Sequence, residues 1–285
     1  MDSLAERLKV AIPLILVSVL AFFLPGIYGK ITFTILALGL VLPTVHEACS
    51  LLAIPDKAGY KITLMATISL IAIVPLFCRD CLPERLLVVD FGLLFLGFLV
   101  GCFLMFRDGV SAESMTSFAK FALVELLVCG CLAPLPNLFH FPGNGPFLLF
   151  FLILITKLGD TGGYAVGTLT SKLPGGNHKI APTISPKKSW EGLFGGIAFS
   201  VLSALLCFHF APTRLAPFGI WAVILLGILA GTIGLVGDLV ESAIKRAANV
   251  KDSGHVPGLG GIFDILDSLL LIGPIFYAFL IFCAN

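Results

Sequence analysis

Charged side chains are scarce in this chain of 285 residues. They make up 12% of the sequence, about half of the ~25% found in ordinary soluble domains. Neither sign dominates, because 18 Lys and Arg residues are balanced by 17 Asp and Glu residues. This balance excludes a nucleic-acid binder that relies on a basic surface, and an apolar content of 58% excludes a disordered chain. With a mean hydropathy of +1.05, the sequence predicts an integral membrane protein.

Several common catalytic motifs are also absent. The chain contains no G-x-x-x-x-G-K-[ST] phosphate loop, no G-x-G-x-x-G after a strand, and no nucleophile elbow of a serine hydrolase. The D-x-x-D-G-x-x-A-R pattern of the CDP-alcohol phosphotransferases is absent too, which argues against that reaction. Any chemistry must therefore come from a different arrangement of polar residues.

Long apolar runs dominate what is present. A membrane-spanning helix needs about 20 mostly apolar residues, and these runs are continuous rather than alternating as in a β-barrel. We therefore predict an all-α, polytopic integral membrane protein with about nine transmembrane helices. The predicted spans are Val10–Gly29, Ile31–Val45, Ile62–Cys78, Phe91–Phe106, Phe121–Pro136, Pro146–Thr170, Gly192–Thr213, Leu215–Gly237 and Ser268–Asn285.

The basic residues predict the orientation of these spans. Nine spans place thirteen Lys and Arg residues on the side of the N-terminus, namely Arg7, Lys9, Lys57, Lys61, Arg107, Lys120, Lys172, Lys179, Lys187, Lys188, Lys245, Arg246 and Lys251. Four lie on the other side, namely Lys30, Arg79, Arg85 and Arg214. Because cytoplasmic loops are enriched in Lys and Arg, we expect a cytoplasmic N-terminus, an outside C-terminus, and a location in the plasma membrane.

Polar residues are concentrated in the second half of the chain. Ionisable groups at membrane depth are costly and usually functional, and from Gly159 to Asp267 they form tight clusters beside apolar runs. We therefore expect residues 1–145 to be an N-terminal transmembrane scaffold and residues 146–285 to be a catalytic transmembrane region of one continuous membrane domain.

The first two clusters suggest a substrate site. Asp160 and Tyr164 lie one helical turn apart on one face, although Asp160 could instead form a structural ion pair with Lys157. Further along, Lys179, Lys187 and Lys188 lie beside a helix start that Ser189 can cap, which is a favourable anion site. The alternative for these lysines is an anchor to anionic lipid.

The last two clusters suggest a metal site. One helix face carries Asp238, either Glu241 or Ser242, and Lys245. A glycine-rich segment is followed by Asp264 and Asp267 at the start of the last span. Carboxylates on facing helices repel unless a cation lies among them, and oxygen ligands that accompany phosphates suit Mg²⁺. The alternative is neutralisation by basic residues, namely Lys245, Arg246 and Lys251. A glycine-rich loop, lysines and a metal together fit phosphoryl or nucleotidyl transfer.

At these clusters the sequence resembles the phosphatidate cytidylyltransferases, also called CDP-diacylglycerol synthases. Ser242–Gly254 is similar to the start of the family signature, S-x-x-K-R-x(4)-K-D-[ST]-[GSA], and Pro257–Asp267 is similar to its end. Upstream motifs of the family resemble Asp160–Tyr164, Ser185–Gly192 and Gly237–Ser242. The likeness covers roughly residues 150–285. Before that it is limited to a similar plan of spans and to His46-Glu47, where the family often has an aromatic residue before Glu.

The resemblance implies a reaction and roles for the clustered residues. CTP and phosphatidic acid would give CDP-diacylglycerol and pyrophosphate, with Mg²⁺ and a second, monovalent cation as candidate cofactors. The partners would be these substrates and membrane lipids, without nucleic acid, and the chain could form a homodimer. The catalytic residues would be Asp238, Lys245 and Asp264, and the metal ligands Asp238, Asp264 and Asp267, with Glu241 in support. The substrate-binding residues would be Asp160, Tyr164, Lys187, Lys188, Arg246, Gly258, Gly260 and Gly261.

The chain departs from the family pattern at two positions. Leu259 and Ile265 stand where His and Arg are usual, which removes two expected phosphate contacts. His255 could replace one of them, or it could be an ordinary loop residue. Two other activities share the membrane setting, a CTP-dependent polyprenol or lipid kinase and a cation-coupled transporter. A transporter would not need the Ser-Pro-Lys-Lys segment.

Overall fold

The computed structural model describes residues 4–55, 59–78, 82–215, 218–256 and 260–284, and in them the chain is largely helical. A π-helical segment, Glu125–Gly130, follows the fifth helix directly, and two short strands precede the eighth. The α-helices of the described residues are α1 Leu4–Phe23, α2 Gly26–Leu51, α3 Tyr60–Phe77, α4 Pro83–Arg107, α5 Ala112–Val124, α6 Pro134–Phe139, α7 Gly145–Thr170, α8 Trp190–Phe210, α9 Pro212–Leu215, α10 Gly219–Ala247 and α11 Phe263–Ala284. The strands are β1 Lys179–Ala181 and β2 Ser185–Ser189.

The helices confirm a polytopic membrane protein. Eight helical segments of the described residues are long and apolar enough to cross a membrane, from Gly26–Leu51 to Phe263–Cys283. One of them is the continuous run Ala112–Phe139, which joins α5, the π-helical segment and α6. The eight overlap the second to ninth predicted spans, and α1 covers most of the first.

Proline accounts for one error in the predicted boundaries. The first span was expected to reach Gly29, but α1 ends at Phe23 and Pro25 begins the next helix as its N-cap. Pro25 has no backbone N–H to donate to α1, whereas its extended backbone suits the position before a helix. By contrast, Pro43 lies inside a helix without ending it, as membrane helices tolerate.

The lysine-rich segment between α7 and α8 forms a β-hairpin. Strand β1 pairs antiparallel with β2, so that Lys179 lies opposite Ser189 and Ala181 opposite Ser185. The Ser189 hydroxyl accepts a hydrogen bond of 3.1 Å from the N–H of Gly192, which confirms the predicted cap of α8. The hairpin therefore ends at the N-terminus of a membrane-spanning helix.

The helices form two compact units. The first contains residues 1–146 and 248–265, and the second contains residues 147–247 and 266–285. Aromatic packing fills the first unit, where the rings of Tyr60 and Phe121 are 5.0 Å apart and both are buried. The functional division predicted between residues 1–145 and 146–285 stays a prediction.

Glycines bring the helices of the second unit close together. A Cβ atom on Gly231 of α10 would lie 2.7 Å from the Cα atom of Ile197 in α8, and one on Gly227 would lie 2.7 Å from the Cα atom of Val201. A larger side chain at either position would force the two helices apart. Small residues are the usual means by which membrane helices approach one another closely.

Candidate active site

The second unit contains a cavity of about 420 Å³, within the ~300–1,000 Å³ typical of small-molecule sites. Its walls come from α7, the β-hairpin, α8 and α10. The predicted substrate residues that line it are Asp160, Tyr164, Lys187 and Lys188. Lys179 and the capping residue Ser189 line it as well. The first two sequence clusters therefore meet at one cavity.

A compact group of carboxylates lies on α10 and α11. Oxygen atoms of Asp238, Glu241 and Asp267 all lie within 4.8 Å of one another. Glu241 is fully buried, and Asp238 and Asp267 are partly buried. Gly237 permits the close approach, because a Cβ atom there would lie 2.5 Å from the backbone oxygen of Asp267. Two predicted metal ligands and the predicted supporting residue are thus brought together.

Three lysines contact these carboxylates and that of Asp160. Lys188 forms an ion pair with Asp238, and the Lys245 Nζ atom lies 2.6 Å from Glu241 Oε2. The Nζ atom of Lys157 lies 3.6 Å from Asp160 Oδ2 and 3.8 Å from Asp267 Oδ1. Lys188 lines the cavity, so the acidic group and the cavity share a side chain.

The lysines differ in part from those expected to neutralise the acids. Of the three predicted basic residues, Lys245 does contact the group, but Arg246 donates a 3.1 Å hydrogen bond to the backbone oxygen of Ile184. Lys251 is exposed. Lys157 had been considered only as a structural partner of Asp160, yet it also donates a 2.7 Å hydrogen bond to Ser268 Oγ. Its sequence signal was a basic residue within the apolar run of α7, three residues before Asp160.

The donor set of this group fits a hard divalent cation. Four carboxylates, those of Asp160, Asp238, Glu241 and Asp267, are matched by three ammonium groups, so the group keeps one formal negative charge. Carboxylate oxygens are the protein ligands that Mg²⁺ and Ca²⁺ prefer. A buried acidic cluster suited to a divalent cation is therefore present.

Asp264 has partners of a different kind. It belongs to the first unit, where its Oδ2 atom accepts hydrogen bonds from the Gly261 N–H at 2.7 Å and from the Ser253 N–H at 3.1 Å. The Gly260 N–H donates to the Val256 backbone oxygen at 3.1 Å, and Gly258 lies outside the described residues. The N–H groups of Gly260 and Gly261 thus have acceptors within the chain. Their predicted role in binding phosphate stays a prediction.

His255 is exposed, on the loop that leads to this segment. Among the residues that the structure describes, no contact of His255 favours either interpretation, and Leu259 lies outside the described residues. The hypothesis that His255 replaces the missing phosphate contact therefore stays a prediction.

Comparison with known proteins gives a consistent match over nearly the whole chain. Residues 5–283 match the cytidylyltransferase family. The chain is 32% identical over 222 residues to a phosphatidate cytidylyltransferase of Chlamydia trachomatis, which covers 73% of this chain and 68% of the relative.

Two further relatives match over shorter regions. A phosphatidate cytidylyltransferase of Haemophilus influenzae is 37% identical over 145 residues, or 50% of this chain and 49% of the relative. One of Staphylococcus epidermidis is 42% identical over 134 residues, or 47% of this chain and 48% of the relative. The chain therefore spans about half the length of these two curated relatives.

Proposed function

The chain belongs to the cytidylyltransferase family, and on that basis we propose that it transfers the cytidylyl group of CTP to phosphatidic acid. The products are CDP-diacylglycerol and pyrophosphate, and the role is in phospholipid biosynthesis. The proposal is supported most directly by the lysine-bordered cavity, which shares Lys188 with a buried carboxylate group in a membrane protein. A lysine-lined site beside a metal-binding group suits two phosphate-bearing substrates.

The reaction needs little covalent help from the protein. An oxygen of the lipid phosphate attacks the α-phosphorus of CTP, a new P–O bond forms, and the bond from the α-phosphorus to the bridging oxygen of pyrophosphate breaks. Pyrophosphate leaves with the electron pair. A phosphate monoester is already anionic near neutral pH, so no strong base is required. The protein must bring two anions together and neutralise their charge.

We assign the binding of one Mg²⁺ ion to Asp238 and Asp267, with Glu241 held in place by Lys245. The role predicted for Asp264 as a third ligand and a catalytic residue stays a prediction. When bound, the ion would neutralise negative charge on the phosphates. Lys188 can exchange its contact with Asp238 for one with substrate phosphate, and Lys157 holds Asp160 and Asp267 in position. The other proposed substrate contacts come from Asp160, Tyr164, Lys187, Arg246 and the segment Gly258–Gly261.

The reaction can be tested with CTP labelled in its cytosine ring. Purified protein in liposomes that contain phosphatidic acid should move the label into a chloroform-soluble product and release an equal amount of pyrophosphate. A lipid kinase would leave the label in water, and a transporter would consume no CTP. Either of those outcomes would contradict the proposal.

We also propose that the N-terminus and the active site face the cytoplasm, in the plasma membrane, with the C-terminus outside. The excess of Lys and Arg in alternate loops supports this orientation. Alkaline phosphatase fused after Asn285 should therefore be active, and a fluorescent protein fused there should be dark. The same fusions after Lys172 should behave in the opposite way. A fluorescent fusion at Asn285 would overturn the proposed orientation.

A further inference from the structure

Glu47 of α2 contacts both ends of the glycine-rich loop that joins Ser253 to α11. Its Oε1 atom accepts a 3.0 Å hydrogen bond from the N–H of Ile262, and its Oε2 atom accepts one of 2.9 Å from the N–H of Phe263. Oε2 also accepts a 2.7 Å hydrogen bond from the hydroxyl of Ser253. A side chain more than 200 residues earlier in the sequence thus links the two ends of this loop by hydrogen bonds.

Two glycines leave room for this carboxylate. A Cβ atom on Gly254 would collide with Glu47 Oε1, and one on Gly261 would collide with Glu47 Oε2 and with the hydroxyl of Ser253. A larger side chain at either position would displace the Glu47 carboxylate, and at Gly261 it would also lie 2.6 Å from the backbone nitrogen of Gly254. The Glu47 carboxylate therefore packs directly against the backbone of this segment.

Asp264 contacts two of the same residues, Ser253 and Gly261. Its Oδ2 atom accepts from the N–H groups of Ser253 and Gly261, and it lies 3.1 Å from the Ser253 hydroxyl. Ser253 therefore lies within hydrogen-bonding distance of both carboxylates, although its single proton can be donated to only one at a time. Through this hydroxyl, the position of Glu47 bears on the position of Asp264.

We propose that Glu47 is a positioning residue of the transferase, which acts through Ser253 to hold Asp264 and the first turn of α11. The proposal rests on the cytidylyl transfer described above. A helix cap alone would need only the N–H groups of Ile262 and Phe263. The additional hydrogen bond from Ser253 would be unnecessary for capping. It connects Glu47 to Asp264, which lies one helical turn before Asp267.

The test is the substitution Glu47→Gln, which keeps the volume of the side chain but places an amide NH₂ group against hydrogen-bond donors. We expect kcat for CTP-dependent labelling of lipid to fall about tenfold or more, a change of ~1.4 kcal/mol in the barrier. The KM for CTP should change little, whereas the melting midpoint in detergent should fall, because the amide cannot accept all three hydrogen bonds that Glu47 accepts. Glu113→Gln makes the same chemical change at an exposed position of α5 and should leave all three quantities unaltered.

A cycle with Ser253→Ala separates positioning from simple stabilisation. If Glu47 acts through Ser253, the single variant Ser253→Ala should also lose kcat, and the double variant should be no slower than Glu47→Gln alone. Losses in kcat that multiply, or a loss of folded protein without a change in kcat per folded molecule, would contradict the proposal. Should Glu47→Gln fail to fold, wild-type kcat in Ser253→Ala would be sufficient to overturn it. An inactive wild-type protein in the same assay would instead refute the proposed reaction.

Discussion

Replacing Asp238 with Asn should lower kcat for CTP-dependent lipid labelling about a thousandfold, which corresponds to ~4 kcal/mol of transition-state stabilisation. The substitution keeps the shape of the side chain but removes one charge from a group in which carboxylate oxygens of three residues lie within 4.8 Å of one another. Fewer charged oxygens also bind a divalent cation more weakly. The concentration of Mg²⁺ that gives half of the maximal rate should therefore rise.

The matched control is Asp108→Asn, which makes the same substitution at an exposed position outside the acidic group. Steady-state rates are to be measured over a range of Mg²⁺ concentrations, with each rate divided by the amount of folded protein. The control should follow the wild-type curve. A wild-type rate for Asp238→Asn at limiting Mg²⁺ would show that this carboxylate does not hold the metal.

Replacing Lys188 with Met should lower kcat/KM for CTP about a hundredfold, and much of the loss should lie in KM. Lys188 lines the cavity and forms an ion pair with Asp238, so its removal takes away a cation that can meet phosphate. A charge-assisted hydrogen bond is worth ~1.5–3 kcal/mol, or one to two powers of ten. The dependence on Mg²⁺ should shift in the opposite direction from that of Asp238→Asn, because Asp238 loses a competing cation.

Lys172→Met serves as the control for this second substitution, because Lys172 is exposed beyond the end of α7 and does not line the cavity. It should leave CTP kinetics unchanged. If Lys188→Met bound CTP normally but required more Mg²⁺, Lys188 would be supporting the metal site instead of the nucleotide. That result would overturn its assignment to substrate phosphate.

The transmembrane plan could be predicted from the sequence because a membrane imposes a simple rule. Apolar runs of sufficient length had to become helices, and the eight spans among the described residues follow those runs. The ends of the helices were harder to predict. Pro25 separates two helices, whereas Pro43 lies within one. Hydropathy does not distinguish these two cases, because the difference depends on the local backbone and on neighbouring helices.

The site was only partly predictable for a related reason. Helical periodicity correctly put Asp238 and Glu241 on one face, and it put Asp160 and Tyr164 on another. Contacts between segments that are distant in sequence produce no such periodic pattern. Asp264 and Asp267 are one turn apart in sequence, yet the first binds backbone N–H groups of a loop and the second belongs to the carboxylate group.

Lys157 and Glu47 are two residues whose contacts could not be predicted from the sequence. Each is one of two charged residues in an apolar helix, for which a structural ion pair or a loop contact is an ordinary expectation. Lys157 contacts two carboxylates, one of them 110 residues away in sequence. Glu47 reaches a loop more than 200 residues away. Only the packing of the helices reveals which groups these side chains meet.

The transfer of the cytidylyl group is tested most directly by the fate of the CTP phosphates. Two preparations of CTP, labelled at the α- or the γ-phosphorus, are incubated with the protein in liposomes that contain phosphatidic acid and Mg²⁺. We expect α-label in the lipid fraction and γ-label in pyrophosphate, with neither transfer in liposomes that lack phosphatidic acid. Label from the γ-phosphorus in the lipid, with the α-label left in water, would show a kinase and contradict the proposed reaction.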